Sequence, residues 1–187
     1  PFSGRRPASV EVLKTLAAAY DGLGLRDEAL QVRSALVELL PVEEALPLRL
    51  QLGQVLLSSR RFGEALAHFY QASVLAPKDP APLVGMAQCY RGLGDREREV
   101  EQRRRAVELA PYRADLWLGL VQALQALGRV GEALRALEGY VAAAPGDVAA
   151  ARKAADIARA LGDLESVERY LRLVLAQDPS NLEARMA

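Results

Sequence analysis

Aromatic residues make up only 5% of this chain of 187 residues, which holds one cysteine, Cys89, one histidine, His68, and one isoleucine, Ile157. A lone cysteine rules out an internal disulfide framework, and with a lone histidine it leaves no cluster of metal ligands at zinc-site spacing. Runs of Val, Ile and Thr are missing, so nothing reads as a strand. Net charge is missing too: 24 Lys and Arg balance 24 Asp and Glu. A neutral balance gives no electrostatic reason to expect nucleic acid or an anionic membrane. No stretch approaches the roughly 18 apolar residues that a membrane-inserted helix needs. There is no phosphate-cradling glycine loop, and no serine has a neighbouring base. We therefore expect no catalytic residues, no cofactor and no metal, that is, a protein that is not an enzyme. Signal-peptide features are also absent. The chain starts at Pro1 rather than Met and ends at Ala187 inside what reads as a further helix. We expect a piece of a longer protein, whose compartment the sequence does not assign.

What remains is Ala and Leu, with Arg and Glu as the charges and 51% hydrophobic residues, a composition that favours helix throughout. Proline punctuates it at Pro41, Pro77, Pro111, Pro145 and Pro179, with one gap of 36 residues and then three of 34. A fixed period of this size signals a repeat architecture. Each period reads as two short amphipathic helices. Gly24, Gly94, Gly128 and Gly162 end the first helices through a left-handed turn, with Arg60 in the corresponding slot of the second unit. The prolines end the second helices, because the residue before a proline resists helical geometry. Residues 1–9 read as a flexible lead-in, with Ser9 as the N-cap of the first helix. The units then fall at about 10–45, 46–79, 80–113, 114–147 and 148–181. The segment 41–47 reads as a slightly longer connection, and 180–187 as the start of a truncated further helix.

Aligned on the prolines, one slot holds Leu16, Leu52, Met86, Leu120 and Ala154, and the next holds Ala17, Gly53, Ala87, Val121 and Ala155. Four residues beyond the first slot come Tyr20, Leu56, Tyr90, Leu124 and Ala158, and in the second helix Ala29, Ala65, Glu99, Ala133 and Val167. Trp117 fills a large-residue slot of the fourth unit. This pattern resembles the tetratricopeptide repeat over roughly residues 10–179. The resemblance implies an all-α solenoid of about five helix-turn-helix units wound into a right-handed superhelix. In that family first helices line the concave face and second helices the convex face.

Three departures stand out. Glu99 replaces a small residue at a helix contact, where an unpaired carboxylate would be costly. We expect a local splay that lets it reach solvent or an arginine, the alternative being a functional opening. Arg33 and Arg103 occupy a large apolar slot, where their stems can cover apolar surface with the heads in water. The fifth unit, with Ala151, Ala154 and Ala158, reads as slimmer or less firmly packed. The basic run Arg103, Arg104 and Arg105 lies among glutamates three or four residues away, so pairing within the helix accounts for it. His68 is expected to be solvated or partly buried, and Cys89 to be a buried, inert thiol.

The informative set lies on the first helices. Gln54, Gln88 and Gln122 recur at one slot, and Leu50, Val84 and Leu118 recur four residues earlier, on the same helix face. Leu57, Arg91 and Gln125 continue these faces. By the resemblance this is the concave face, where amides could bond an extended backbone and apolar side chains could hold a ligand's side chains. Glutamine also suits a solvated helix and could recur through duplication alone. At the ends stand Lys14 and Asp21 and, in the fifth unit, Arg152, Asp156 and Arg159. Those arginines either hold an acidic group or pair with Asp156. Lys14 matches one lysine of the family's carboxylate clamp for acidic chaperone tails. Ala18, Gln51, Ala81 and Gly85 fill the partner slots, so the clamp is incomplete.

Two functions follow as expectations. One is a scaffold binding a protein or peptide partner in the groove through Leu50, Gln54, Val84, Gln88, Arg91, Leu118, Gln122, Gln125, Arg152 and Arg159. The other is an assembly or regulatory segment of a larger bacterial envelope, secretion or polysaccharide-export machine, or of a multidomain enzyme. Self-association through Leu171, Val174 and Leu175, on the outer side of the last pair, is expected as well.

Overall fold

The computed structural model describes residues 8–179. The remainder of the expected lead-in and the further helix over 180–187 lie outside them. The described residues form ten α-helices and no strand: α1 Ala8–Gly22, α2 Arg26–Val37, α3 Val42–Ser58, α4 Phe62–Leu75, α5 Ala81–Leu93, α6 Arg96–Leu109, α7 Ala114–Ala126, α8 Val130–Ala142, α9 Val148–Ala160 and α10 Leu164–Gln177. They fall into two compact units, Pro1–Leu93 and Gly94–Ala187. In the first, α1 pairs with α2 and α3 with α4; α2 packs on α3, and α5 lies against α4 and α3. In the second, α7 pairs with α8 and α9 with α10, while α6 packs on α7 and α8 on α9.

The glycine stops behave as their spacing predicts: φ is 72° at Gly24, 81° at Gly94, 69° at Gly128 and 79° at Gly162. Arg60 takes the same left-handed turn, with φ of 61°, although its Cβ makes that conformation unfavourable. Asp95, Asp147 and Asp163 cap α6, α9 and α10 by accepting backbone N–H bonds.

Two boundaries differ from expectation. Ser9 is not an N-cap, because α1 already includes Ala8. The segment 42–47 is not a connection, because α3 begins at Val42 directly after Pro41 and carries Pro47 inside it. Pro41 has φ −63° and ψ 159°, the extended geometry of an N-cap, and Glu43 and Glu44 sit favourably in the first turn. Pro47 is the sixth residue of α3, and the helix continues through it at the expense of one backbone hydrogen bond.

Packing turns on small residues. The Phe69 ring of α4 lies against both Gly53 of α3 and Gly85 of α5, so that a Cβ would fall 2.8 Å and 2.5 Å from it. In the second unit Trp117 of α7 lies against Gly139 of α8, 2.6 Å from where a Cβ would stand. The alanines of α9 are not a loose patch: Ala150, Ala151, Ala154, Ala155 and Ala158 are all buried. Of the residues expected on an exposed outer face, Val174 is fully buried. Leu171 and Leu175 are only partly exposed and pack with Val174, Val148 and Ala151. Helix α10 has a strong apolar stripe, and α9 covers it.

Candidate interaction surface

Helix α6 is the most polar of the ten, and its buried side is charged. Glu99 is 1% exposed and accepts hydrogen bonds from Arg96 Nη1 at 2.8 Å and Arg103 Nε at 3.1 Å. Of the two expected outlets, solvent and an arginine, it takes only the arginines. Arg103 also departs from expectation, since its head is not in water. Its side chain is 11% exposed and its guanidinium lies where a Cβ of Gly119 on α7 would be. Arg103 and Phe69 share one slot of the repeat, and Gly119 and Gly85 share the slot that receives them. Phe69 fills that contact in the first unit and an Arg–Glu pair fills it in the second.

Pairing within one helix explains only part of the basic run. Arg104 reaches Glu132 of α8, and Arg105 bonds Gln102 on its own helix. Arg129, at the start of α8, holds Glu132 at 2.6 Å and Glu97 of α6 at 3.1 Å. The same device recurs in the first unit, where Arg61 holds Glu64 and Asp27, each at 2.7 Å. An arginine at a helix start opposes the helix dipole, and the glutamate one turn on offsets it. Arg33 pairs with Asp21 and keeps that carboxyl below its usual range through the hydrogen bond.

The residues expected to bind a partner stand on the first helices of both units. Leu50 and Gln54 lie on α3, with Val84, Gln88 and Arg91 on α5, which packs against α3. Leu118, Gln122 and Gln125 lie on α7, and Arg152 and Arg159 on α9. Gln54, Arg91, Gln122, Arg152 and Arg159 are exposed; Leu50, Val84, Gln88, Leu118 and Gln125 are partly exposed. Arg159 pairs with Asp156 at 3.5 Å, the simpler of the two roles expected of it. Lys14 is engaged as well, by Glu44 at 3.5 Å, which competes with any part in holding a carboxylate ligand.

Cys89 is fully buried on α5, and burial pushes its thiol up to about 11, far from the thiolate needed for reactivity. Among the described residues no group of three or more His, Cys, Asp or Glu could hold a metal ion. No described helix is long and apolar enough to cross a membrane. A cleft of about 340 Å³ opens in the second unit, lined by Arg104, Glu108, Trp117, Leu120, Glu132 and Arg135 among others. None of its lining residues belongs to the expected set. Sequence spacing gave Trp117 only a packing role; its place in this cleft depends on the approach of α6 and α8.

Helix pairs that cover one another through small-residue contacts define the helical-repeat class of all-α solenoids. Residues 114–157 match the family model of the tetratricopeptide repeat. Those residues carry a tetratricopeptide repeat, and along its length the chain shares its fold with solved repeat proteins. Similar solved structures include the MamA protein, 15% identical with TM-score 0.67, covering 96% of this chain and 97% of that one. Another is YrrB, a tetratricopeptide-repeat protein whose structure is described as having an unusual peptide-binding site, 17% identical with TM-score 0.60 over 97% of this chain and 98% of that one. A third is the C-terminal part of a repeat-containing protein from Cytophaga hutchinsonii, 18% identical with TM-score 0.68 over 98% and 75%. No curated protein sequence matches the chain.

Proposed function

We propose that the chain is a protein-interaction scaffold that takes a peptide segment of a partner protein along the face of its first helices. The observation that carries this reading is the recurrence of an amide and an apolar residue on one face of each of three first helices: Gln54 with Leu50 on α3, Gln88 with Val84 on α5, and Gln122 with Leu118 on α7. All six are at least partly exposed, so the apolar member of each pair keeps surface that a ligand's side chain could cover. The exposed glutamines can offer donors and an acceptor to an extended backbone while the apolar residues take up side chains. That YrrB, with the same fold, is described with a peptide-binding site adds support. Arg91 adds to the exposed face of α5 and Gln125 to that of α7, and Arg152 and Arg159 stand exposed on α9, where a segment with acidic residues would compete with Asp156 for Arg159.

The test is to capture partners with the intact protein, map the bound segment, and repeat with Gln88→Ala combined with Leu118→Ala. Both side chains are partly exposed and alanine favours helix, so the double variant keeps its helicity and folds cooperatively, with a lower melting temperature, while binding at least tenfold more weakly. A folded double variant that binds its partner as tightly as the parent refutes the proposed surface.

A further inference from the structure

The only histidine stands in a polar network that the proposed binding surface does not use. His68 on α4 lies with its Nε2 3.3 Å from the Ser34 hydroxyl of α2, and its Nδ1 is buried with no partner. Beside it Arg49 of α3, 7% exposed, donates to Gln71 of α4 and, at 3.0 Å, to Glu38 at the C-cap of α2. The Arg49 Nε is likewise buried without a partner. Three helices from the first two pairs of the first unit therefore meet in one polar cluster that contains a buried cation and a titratable ring. An arginine this buried is supported by its two partners, and a second cation next to it meets its charge with little water between them.

We propose that His68 is an acid-sensitive latch between the first two helix pairs, neutral when α2, α3 and α4 are closed on one another and loosening them when it gains a proton. The charges acting on the ring are Arg49 from α3, Glu38 from the C-cap of α2 and Glu64 one turn earlier on α4. The sole charge on α5, Arg91, is exposed. Burial first, then Arg49, hold the imidazole below its ordinary value, against the opposing pull of Glu38 and Glu64. Glu38 is already shared with Arg49, and Glu64 with Arg61, so neither is free to compensate the new charge.

The sign follows. Because the folded value lies below the unfolded one, the unfolded chain takes up the proton first as pH falls. The stability supplied by neutral His68 is complete above the unfolded value near 6.5 and is lost as pH falls from there toward the folded value. The carboxylates Asp21 and Glu64 are shifted downward, away from this window.

One imidazole in the chain makes the test direct. Its proton resonances are followed from pH 8 to 5 in the folded protein and in the urea-unfolded chain. Backbone amide protection is measured at pH 7.5 and 5.5 in the parent and in His68→Gln, a neutral residue that can still meet Ser34. The latch requires a folded midpoint below the unfolded one. It also requires protection in α1 and α2 to fall at pH 5.5 in the parent more than in α9 and α10, and not to fall in the variant. A folded midpoint at or above the unfolded one overturns the proposal, and so does an equal loss of protection in parent and variant. Should the variant fail to fold, the two midpoints of the parent decide alone.

Discussion

At the scale of single residues, Arg60 shows a backbone demand outliving the residue type that suits it. It keeps the left-handed turn that four glycines make elsewhere, with φ of 61°. Such a turn costs an L-residue about 1–2 kcal/mol, partly offset in a glycine by the greater freedom of its unfolded chain. Arg60→Gly should therefore raise stability by about 0.5–1 kcal/mol in urea unfolding, with an unchanged m-value. Glu99 behaves oppositely. Removing the carboxylate leaves the buried Arg103 head without its partner, so Glu99→Ala should cost about 3 kcal/mol even though alanine is the usual residue of that slot. Adding Arg103→Leu should recover most of the loss. Cys89, with its thiol near 11, should resist alkylation in the native protein and react once urea exposes it.

Residue types and their slots were legible in the sequence; their partners were not. That Glu99 would need either solvent or an arginine followed from the cost of a buried, unpaired carboxylate. That both Arg96 and Arg103 supply it depends on side-chain rotamers, which spacing does not specify. The links from Arg61 to Asp27 and from Arg129 to Glu97 join residues 34 and 32 positions apart. Only the stacking of successive second helices brings such residues together.

At the scale of elements, the helices were legible because each stop is a backbone requirement. A left-handed turn asks for glycine, and a proline ends what precedes it. Besides the N-cap expected at Ser9, the failure came where proline plays a different part. Pro41 opens α3 rather than merely closing α2, and Pro47 lies within that helix. Element packing was legible only in part: small residues were expected between helices, but not which ring lies on which glycine. Gly85→Ala should cost about 1–3 kcal/mol, since its Cβ would stand 2.5 Å from the Phe69 ring. In a Phe69→Leu background the same change should cost much less, and a double-mutant cycle by chemical denaturation measures the coupling.

At the scale of the whole molecule, no single element stands alone. Helices α2, α4 and α8 lie against first helices on either side, as Phe69 does between Gly53 and Gly85. Stability in such a repeat is the sum of its pairs and their contacts, which leaves the exposed face of the first helices free to vary. That freedom is why the repeat was legible and the partner was not. Packing slots recur for physical reasons common to every array, while the role proposed for Gln54, Gln88 and Gln122 depends on a molecule outside the chain.

The proposed binding face is tested most directly by amide hydrogen exchange on the protein with and without its mapped partner segment. The account predicts added protection concentrated on α3, α5 and α7 around Gln54, Gln88 and Gln122. Protection confined to the second helices, around Arg104, Glu132 and Arg135, would contradict it.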